Sequence, residues 1–296
     1  MKARPCPVCG PGPGSVLHAE SNLDPSRLDG YAYSSRKAPE LMRHRLLRCL
    51  GCGALYAPQP PPGRALARAY DAALFDSGVE AACAASTYAQ ALLGLEGLGR
   101  RGALDIGTGD GAFLAHLLAA GFSGVRGVEP SRAPIRSAPP ALTRRIRHGM
   151  FSGREAPATS LDLVTCFQTL EHVAEPLPLL KRSRGLLRGG GCFAAVCHDH
   201  RAAVNRALGL RSPIYDLEHL QLFNPASLER LFRRAGFARV RVAAIPNRYP
   251  LDYWWRLLPL PGALKRPLAV ALSASRLGAL QVALPVGNQL AVGWKD

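Results

Sequence analysis

A short strand that runs through a glycine-rich turn into a helix constrains the fold of this chain more than any other feature. Residues 103–106 are mostly apolar, and residues 112–118 repeat apolar side chains at helical spacing. The turn between them contains Gly107, Gly109 and Gly111, which let the backbone approach a ligand next to the free N–H groups of the helix start. The sequence therefore predicts an α/β fold with a Rossmann-like, doubly wound sheet and a ligand bound at the glycine turn.

Two acidic residues indicate which ligand this turn binds. Gly107, Gly109 and Ala112 also fit the fingerprint of dinucleotide-binding proteins, so the glycines alone leave two ligand classes open. Glu129 ends the next predicted strand, 22 residues after Gly107, at a spacing suited to binding ribose hydroxyls. Asp105 precedes the first glycine, where its carboxylate would repel a pyrophosphate and suit a cationic amine. S-adenosylmethionine has an amine and a ribose but no phosphate, and it is the cofactor that we expect.

With these residues the chain resembles the class I S-adenosylmethionine-dependent methyltransferases. Residues 105–111 resemble the first motif of that family, and Glu129 resembles its ribose-binding acid. Residues 161–167 resemble its fourth strand, and residues 168–173 match an L-E-H-V segment that is frequent there. The resemblance covers residues 98–240 and implies a seven-stranded sheet whose last strand is antiparallel.

The chain departs from the family pattern where the adenine is bound. The third strand, 145–149, is usually followed by an Asp that contacts the adenine amino group, whereas Met150 and Phe151 follow here. We expect these two side chains to sandwich the adenine, with its hydrogen bond left to the backbone or to Ser152. The same resemblance implies that Gln168 faces the amino-acid end of the cofactor.

Four cysteines form two matching C-x-x-C knuckles. Cys6 and Cys9 make one, Cys49 and Cys52 make the other, and a glycine follows each pair. Two knuckles supply the four thiolates of a tetrahedral Zn²⁺ site, and a site with four protein ligands is structural because it has no open position. Together with residues 287–292, this region resembles a bacterial subgroup of the family with an N-terminal zinc-binding region. Members of that subgroup often act on sugars or other small metabolites.

Three histidines are the candidate catalytic bases. A base is needed when the acceptor atom must lose a proton. His172 follows the fourth strand, His198 ends the fifth, and His219 lies in the later stretch where the family usually builds its substrate pocket. Ligands of open α/β sheets gather beyond the carboxyl ends of the strands, which favours this placement. The alternative is that His172, with Glu171, only fixes its loop and that His219 only pins its own.

Five further side chains are candidate substrate contacts: Tyr88 in the predicted linker, Glu171, His200, Arg211 and Tyr215. Arg211 and Tyr215 could grip an anionic or hydroxylated substrate. We expect one of His198 and His200 to point away from the ligand if the strand continues.

These motifs divide the chain into five regions. We predict a zinc-ribbon-like region at 1–63, a helical linker at 64–97, the cofactor-binding domain at 98–245, a helical insertion at 246–287 and a final strand at 288–296. Aromatic and basic residues in the insertion could rest on a membrane surface or hold a hydrophobic substrate through 250–286. The interpretation that we favour is a helical pair packed on the domain or on a second subunit. The oligomeric state stays open, including a dimer.

The charge of the chain is less informative than its motifs. The chain has 37 basic and 21 acidic residues, a net charge of +16, but 32 of the basic residues are Arg and they are spread along the sequence. That pattern looks like a GC-rich coding bias, so we expect a small-molecule acceptor rather than nucleic acid. No apolar run follows the first charged residues, which predicts a cytoplasmic protein. We predict O- or C-methylation of a small biosynthetic metabolite with a histidine base. The alternatives are an RNA methyltransferase and a non-catalytic cofactor-binding scaffold.

Overall fold

The computed structural model describes residues 3–34, 40–258, 270, 272 and 275–296. The strands in that part of the chain are β1 Ser15–Ala19, β2 Leu46–Cys49, β3 Leu55–Tyr56, β4 Gly102–Ile106, β5 Gly124–Glu129, β6 Ile146–His148, β7 Leu161–Phe167, β8 Leu187–His198, β9 Gln221–Leu222, β10 Arg239–Pro250 and β11 Gln281–Trp294. The α-helices there are α1 Gly63–Ala72, α2 Gly78–Leu92, α3 Ala112–Ala119, α4 Arg132–Ser137, α5 Pro140–Thr143, α6 Pro176–Leu186, α7 Ala203–Leu208, α8 Pro225–Arg234 and α9 Leu251–Leu257.

The larger of two sheets has seven strands in the order β10-β11-β8-β7-β4-β5-β6. The strands β4 to β8 run parallel, whereas β11 is antiparallel to both β8 and β10. The predicted Rossmann-like fold with an antiparallel last strand is confirmed. In such a sheet ligands bind beyond the carboxyl ends of the strands where the strand order reverses, which here is between β4 and β7.

Local sequence explains why the elements around that point form. Every residue of β4 and of β7 is buried, as expected for parallel strands covered on both faces. Helix α3 buries Phe113, Leu114 and Leu117 in the core. Helix α8 begins with a capping box, in which Asn224 Oδ1 accepts from Ser227 N at 3.0 Å and Ser227 Oγ accepts from Asn224 N at 2.9 Å.

The N-terminal region forms a second sheet whose last strand comes from far along the chain. Its order is β1-β2-β3-β9, with β9 paired antiparallel to β3. Arg4 adds side-chain bonds across the same junction. Its guanidinium donates to the carbonyls of Ala57 and Leu220, both at 2.8 Å, and to Gln221 Oε1 at 3.1 Å. The N-terminal region is therefore bonded directly to the segment just before α8, and not connected through the linker alone.

The insertion before the last strand is shorter than predicted. The sequence indicates 246–287, but β10 continues to Pro250 and β11 already begins at Gln281, with the two strands still paired there. The structure corrects both boundaries. A register shift at Pro246 accommodates the missing N–H of that residue, which an edge strand tolerates.

Part of the predicted helical pair lies outside the described residues, namely 259–269, 271 and 273–274. Helix α9 is observed before that gap. Among the helices that the structure describes, none combines the length and the apolar content needed to cross a membrane. Contact of the insertion with a membrane surface, a hydrophobic substrate or a second subunit stays a prediction.

Candidate active site

A cavity of about 780 Å³ lies around the glycine turn. Its wall combines residues from the N-terminal region, α1, α2, the glycine turn, the loops after β7 and β8, and the pair β10–β11. Seven of the eight predicted cofactor contacts line it: Asp105, Gly107, Gly109, Glu129, Met150, Phe151 and Gln168. Its volume is within the range of roughly 300–1,000 Å³ that is usual for small-molecule sites.

The glycine turn uses backbone conformations that favour glycine. Gly107, Gly109 and Gly111 have φ angles of 74°, 58° and 79°. A Cβ at Gly107 would collide with the side chain of Thr169, whereas a Cβ at Gly109 would meet no atom within 4 Å. Because Gly109 lines the cavity, that open space is accessible to a ligand. Gly111, the eighth predicted contact, is instead the N-cap residue of α3.

Two buried carboxylates flank the turn. Asp105 is 3% exposed and accepts a hydrogen bond from Thr165 Oγ1 at 2.6 Å. Glu129 accepts the backbone N–H of Ser131 on Oε1 and that of Gly109 on Oε2, both at 2.8 Å. Burial raises the pKa of Glu129, although these hydrogen bonds act in the opposite direction. The Ser131 hydroxyl also bonds to this carboxylate, which has about four lone-pair sites and so keeps acceptor capacity for a ribose hydroxyl.

The side of the cavity predicted to hold the adenine is apolar. Met150 and Phe151 line it, and the preceding Gly149 N–H donates to the Glu129 carbonyl at 2.8 Å. Ser152 is not part of the lining. Its N–H and hydroxyl both donate to Glu155 Oε1, at 2.9 and 2.8 Å. Met150 and Phe151 therefore remain the predicted adenine contacts. Ser152 lies outside the cavity wall, so it is not available for the predicted hydrogen bond to the adenine.

Gln168 presents a polar atom to the cavity. Its backbone has a φ of 49°, which is uncommon for a residue other than glycine. Its side-chain Oε1 is buried and has no hydrogen-bond partner among the described residues. Because a buried oxygen without a donor is unfavourable, this atom suits a ligand that donates a hydrogen bond, such as an ammonium group.

The three candidate bases lie side by side on the cavity wall. The ring centroids of His172 and His219 are 4.9 Å apart, and those of His198 and His219 are 5.3 Å apart. Each histidine comes from a different part of the fold, since His172 follows β7, His198 ends β8 and His219 precedes β9. The sheet topology thus assembles three residues that are distant in sequence.

His172 is paired with a carboxylate. Its Nδ1 lies 3.1 Å from Glu218 Oε2, and the two side chains are 18% and 6% exposed. The hydroxyl of Tyr70 is also 3.1 Å from Nδ1, and burial raises the pKa of this phenol well above its ordinary value. When Nδ1 donates to Glu218, Nε2 keeps its lone pair, and the carboxylate orients the ring and stabilises its protonated form.

The other two histidines are held by neutral oxygens. His198 Nδ1 lies 2.8 Å from Asn288 Oδ1, and His219 Nδ1 lies 2.8 Å from the carbonyl of Ile214. Since these oxygens only accept, Nδ1 of each ring carries the proton. Burial lowers the pKa of His198 to about 4, so this ring is neutral at neutral pH.

Two predicted substrate contacts lie behind the cavity wall. Glu171 is fully buried, and its Oε1 accepts the backbone N–H of His198 at 2.6 Å. Burial raises the pKa of this carboxyl group. His200 points the other way from His198, with Nε2 3.0 Å from the carbonyl of Gly53. Neither lines the cavity, so both positions correspond to structural roles.

Of the three remaining predicted substrate contacts, one lines the cavity and two do not. Tyr88 lines the cavity from α2. Tyr215 does not, because its hydroxyl lies 3.1 Å from His18 Nε2 and its ring stacks on that imidazole. Arg211 is exposed and also outside the lining. The structure therefore does not bring Arg211 and Tyr215 to the ligand.

Sequence reasoning missed several polar residues of the cavity wall, among them Tyr70, Glu218, Asn247 and Asn288. Glu218 had a detectable signal, because it directly precedes His219. Asn288 lies in the final segment that resembles the zinc-binding subgroup. Tyr70 and Asn247 carry no local signal, since only the tertiary fold brings them to the histidines and to the sheet edge.

The four knuckle cysteines converge away from the cavity. The sulfur atoms of Cys6, Cys9, Cys49 and Cys52 all lie within 4.8 Å of one another, and those of Cys6 and Cys52 are 3.7 Å apart. The glycines that follow the knuckles have positive φ angles, 76° at position 10 and 72° at position 53. The four sulfurs are thus close enough together to bind one metal ion.

Comparison with known proteins agrees with this geometry. The family model of the methyltransferase domain matches residues 60–242. A ubiquinone biosynthesis O-methyltransferase of Aromatoleum aromaticum is 28% identical over 153 residues, which are 47% of this chain and 65% of that protein. The match therefore spans less than two thirds of that relative.

Solved structures of methyltransferases are similar to this chain at low sequence identity. A protein of Anabaena variabilis, described as a methyltransferase from an antibiotic biosynthesis pathway, is 15% identical with a TM-score of 0.50, over 70% of this chain and 96% of that one. An S-adenosylmethionine-dependent methyltransferase of Thermotoga maritima is 19% identical with a TM-score of 0.48, over 74% and 93%. The family match covers more than half of the chain, so the chain belongs to the methyltransferase-domain family.

Proposed function

We propose that this enzyme methylates a small hydroxylated or ketonic metabolite at oxygen or carbon, with His172 as the base. One observation carries the proposal. His172, paired with Glu218 and Tyr70, lines the same cavity as the glycine turn. A proton acceptor therefore lies beside the cofactor site, where the acceptor atom must lose its proton.

The cofactor residues have the chemistry that S-adenosylmethionine requires. Glu129 has acceptor capacity for the ribose diol, and Asp105 and Gln168 Oε1 supply acceptors for the ammonium group. When bound, the cofactor supplies a methyl group whose bond to sulfur breaks as its bond to the acceptor forms, leaving S-adenosylhomocysteine. Because the methyl group is already activated, the protein contributes mainly orientation and exclusion of water.

The base is assigned to His172 because of its partner. Nε2 takes the proton of the acceptor, and Glu218 stabilises the imidazolium through Nδ1. Burial lowers the pKa of His198 to about 4, which makes this ring a weaker base than an ordinary imidazole. His219 touches both rings and holds their relative orientation.

The cavity favours a small acceptor over a nucleic acid. Its volume of about 780 Å³ must hold both the cofactor and the acceptor. Residues of the N-terminal region, α1, α2 and α9 enclose it, and these include Tyr33, Tyr70, Tyr88 and Trp254. An acceptor that fills the rest of this space is of metabolite size.

The four knuckle cysteines hold a structural zinc ion in this proposal. Their sulfurs meet the ligand type and number of a closed tetrahedral site, and none of them lines the cavity. The ion would hold β1, β2 and β3 together at the junction with β9.

The test combines binding with transfer of a labelled methyl group. Calorimetry should show S-adenosylmethionine binding to the native chain. A library of hydroxylated metabolites should then contain an acceptor whose turnover falls about 100-fold or more in His172→Gln. His116→Gln, on α3 and outside the cavity lining, is the matched control and should keep native turnover. Absent cofactor binding, or label that enters RNA and no small molecule, would contradict the proposal.

A further inference from the structure

Two buried amides present unused hydrogen-bonding atoms to the cavity. Asn247 and Asn288 are 6% and 1% exposed, and both line it. Asn247 Oδ1 and Asn288 Nδ2 have no hydrogen-bond partner among the described residues. Buried polar atoms are nearly always paired in native proteins, so this acceptor and this donor are suited to a ligand.

The strand pair directs both amides to the active site. Asn247 shares a buried face of β10 with Ile245 and Tyr249, while the intervening Pro246 and Arg248 are exposed. Asn288 on β11 lies opposite His198 on β8, and its Oδ1 accepts the His198 Nδ1–H at 2.8 Å. The unused Nδ2 is therefore held next to the histidine cluster.

The surrounding wall is aromatic and apolar. The ring of Tyr249 lies 4.5 Å from that of Tyr253 and 5.3 Å from that of Trp254. Trp254 Nε1 donates to the Val282 carbonyl at 2.9 Å. The polar atom of this side chain is therefore bonded to the backbone, and the apolar ring lines the cavity. In the described parts of β10, α9 and β11, the lining residues include no charged side chain. A ligand here meets ring faces and the two amides.

We propose, resting on the function above, that the acceptor is a hydroxylated aromatic compound with two oxygens on an apolar ring. One hydroxyl donates to Asn247 Oδ1, and the other oxygen accepts from Asn288 Nδ2. The ring packs on Tyr249, Tyr253 and Trp254, as aromatic pairs do. A sugar fits this part of the cavity poorly, because most of its hydroxyls would be buried against apolar walls without partners.

Three probes with the same tail and different heads test the proposal: butylcatechol, butylphenol and butyl glucoside. Each is titrated calorimetrically into the full-length protein saturated with S-adenosylhomocysteine. We expect butylcatechol to bind most tightly and butylphenol about tenfold or more weakly, because one amide then lacks its partner. Butyl glucoside should bind more weakly than both.

Asn247→Leu should remove the preference for butylcatechol over butylphenol. It should keep the native affinity for S-adenosylhomocysteine, and that affinity also shows that the variant is folded. Arg248→Leu places the same side chain one position along the strand on the exposed face, and it should leave the preference unchanged.

The outcomes separate the two proposals. If S-adenosylhomocysteine does not bind, the proposed function fails. If it binds but butylcatechol does not, or butyl glucoside binds as tightly, the aromatic acceptor is refuted. The same holds if Asn247→Leu keeps the native preference.

Discussion

Replacing Glu129 with Gln should weaken cofactor binding by a predictable amount. In the native protein each carboxylate oxygen accepts one backbone N–H at 2.8 Å, from Ser131 and from Gly109. The Gln amide has one acceptor oxygen, so its NH₂ group must face one of these N–H donors. The substitution also removes the negative charge and one acceptor for the ribose diol.

The magnitude follows from the bonds that are lost. A hydrogen bond to a charged group contributes about 1.5–3 kcal/mol, and each 1.4 kcal/mol is roughly a factor of ten in Kd. The Kd for S-adenosylmethionine should therefore rise about ten- to hundredfold. The buried N–H left facing the amide should also cost about 1–3 kcal/mol of folding free energy.

Calorimetric titration measures the first effect and denaturant unfolding the second. Glu96→Gln is the control, because Glu96 is exposed and outside the cavity lining. A folded Glu129→Gln protein with the native Kd would refute the assignment of Glu129 to the ribose.

Three further predictions concern the histidines and the metal. Glu218→Gln should lower kcat about tenfold or more, because a neutral amide stabilises the His172 imidazolium less, while calorimetry should find native cofactor affinity. The folded pKa of His198, about 4, lies below the unfolded value of about 6.5, so stability should fall as pH drops through that window. This linkage makes the native protein about 2 kcal/mol less stable at pH 5 than at pH 7, and His198→Gln should lose that part of the pH dependence in urea unfolding. Metal analysis should find zinc bound to the native chain, and Cys49→Ser should abolish it and lower the Tm; a Tm that a strong chelator leaves unchanged would contradict a structural metal.

The parts of the fold that follow from local pattern were predictable. Residues 161–167, which resemble the fourth strand of the family, form β7 with the same bounds. The glycine turn was equally visible, since positive φ angles at Gly107, Gly109 and Gly111 leave few other residues available. Neither feature needs information from distant parts of the chain.

The parts that depend on distant contacts were not predictable. On a continuing strand His198 and His200 would share a face, but β8 ends at His198 and His200 turns away to contact the Gly53 carbonyl. Tyr70 meets His172 across 102 positions of sequence. The extension of β10 beyond Pro246 was missed because proline usually ends a strand, and a bulge on an edge strand removes that restriction.

The two-residue strand β9 limits how this protein can be divided. It completes the N-terminal sheet, yet it lies between His219 and α8 in the chain. Removing residues 1–62 would expose the backbone edge of β9 and leave Gln221 without Arg4, so a fragment that begins at α1 should aggregate or unfold near the histidines. Because β9 completes the N-terminal sheet, the N-terminal region cannot be exchanged between relatives as an independent segment. A chimaera would have to carry the β9 segment along with it.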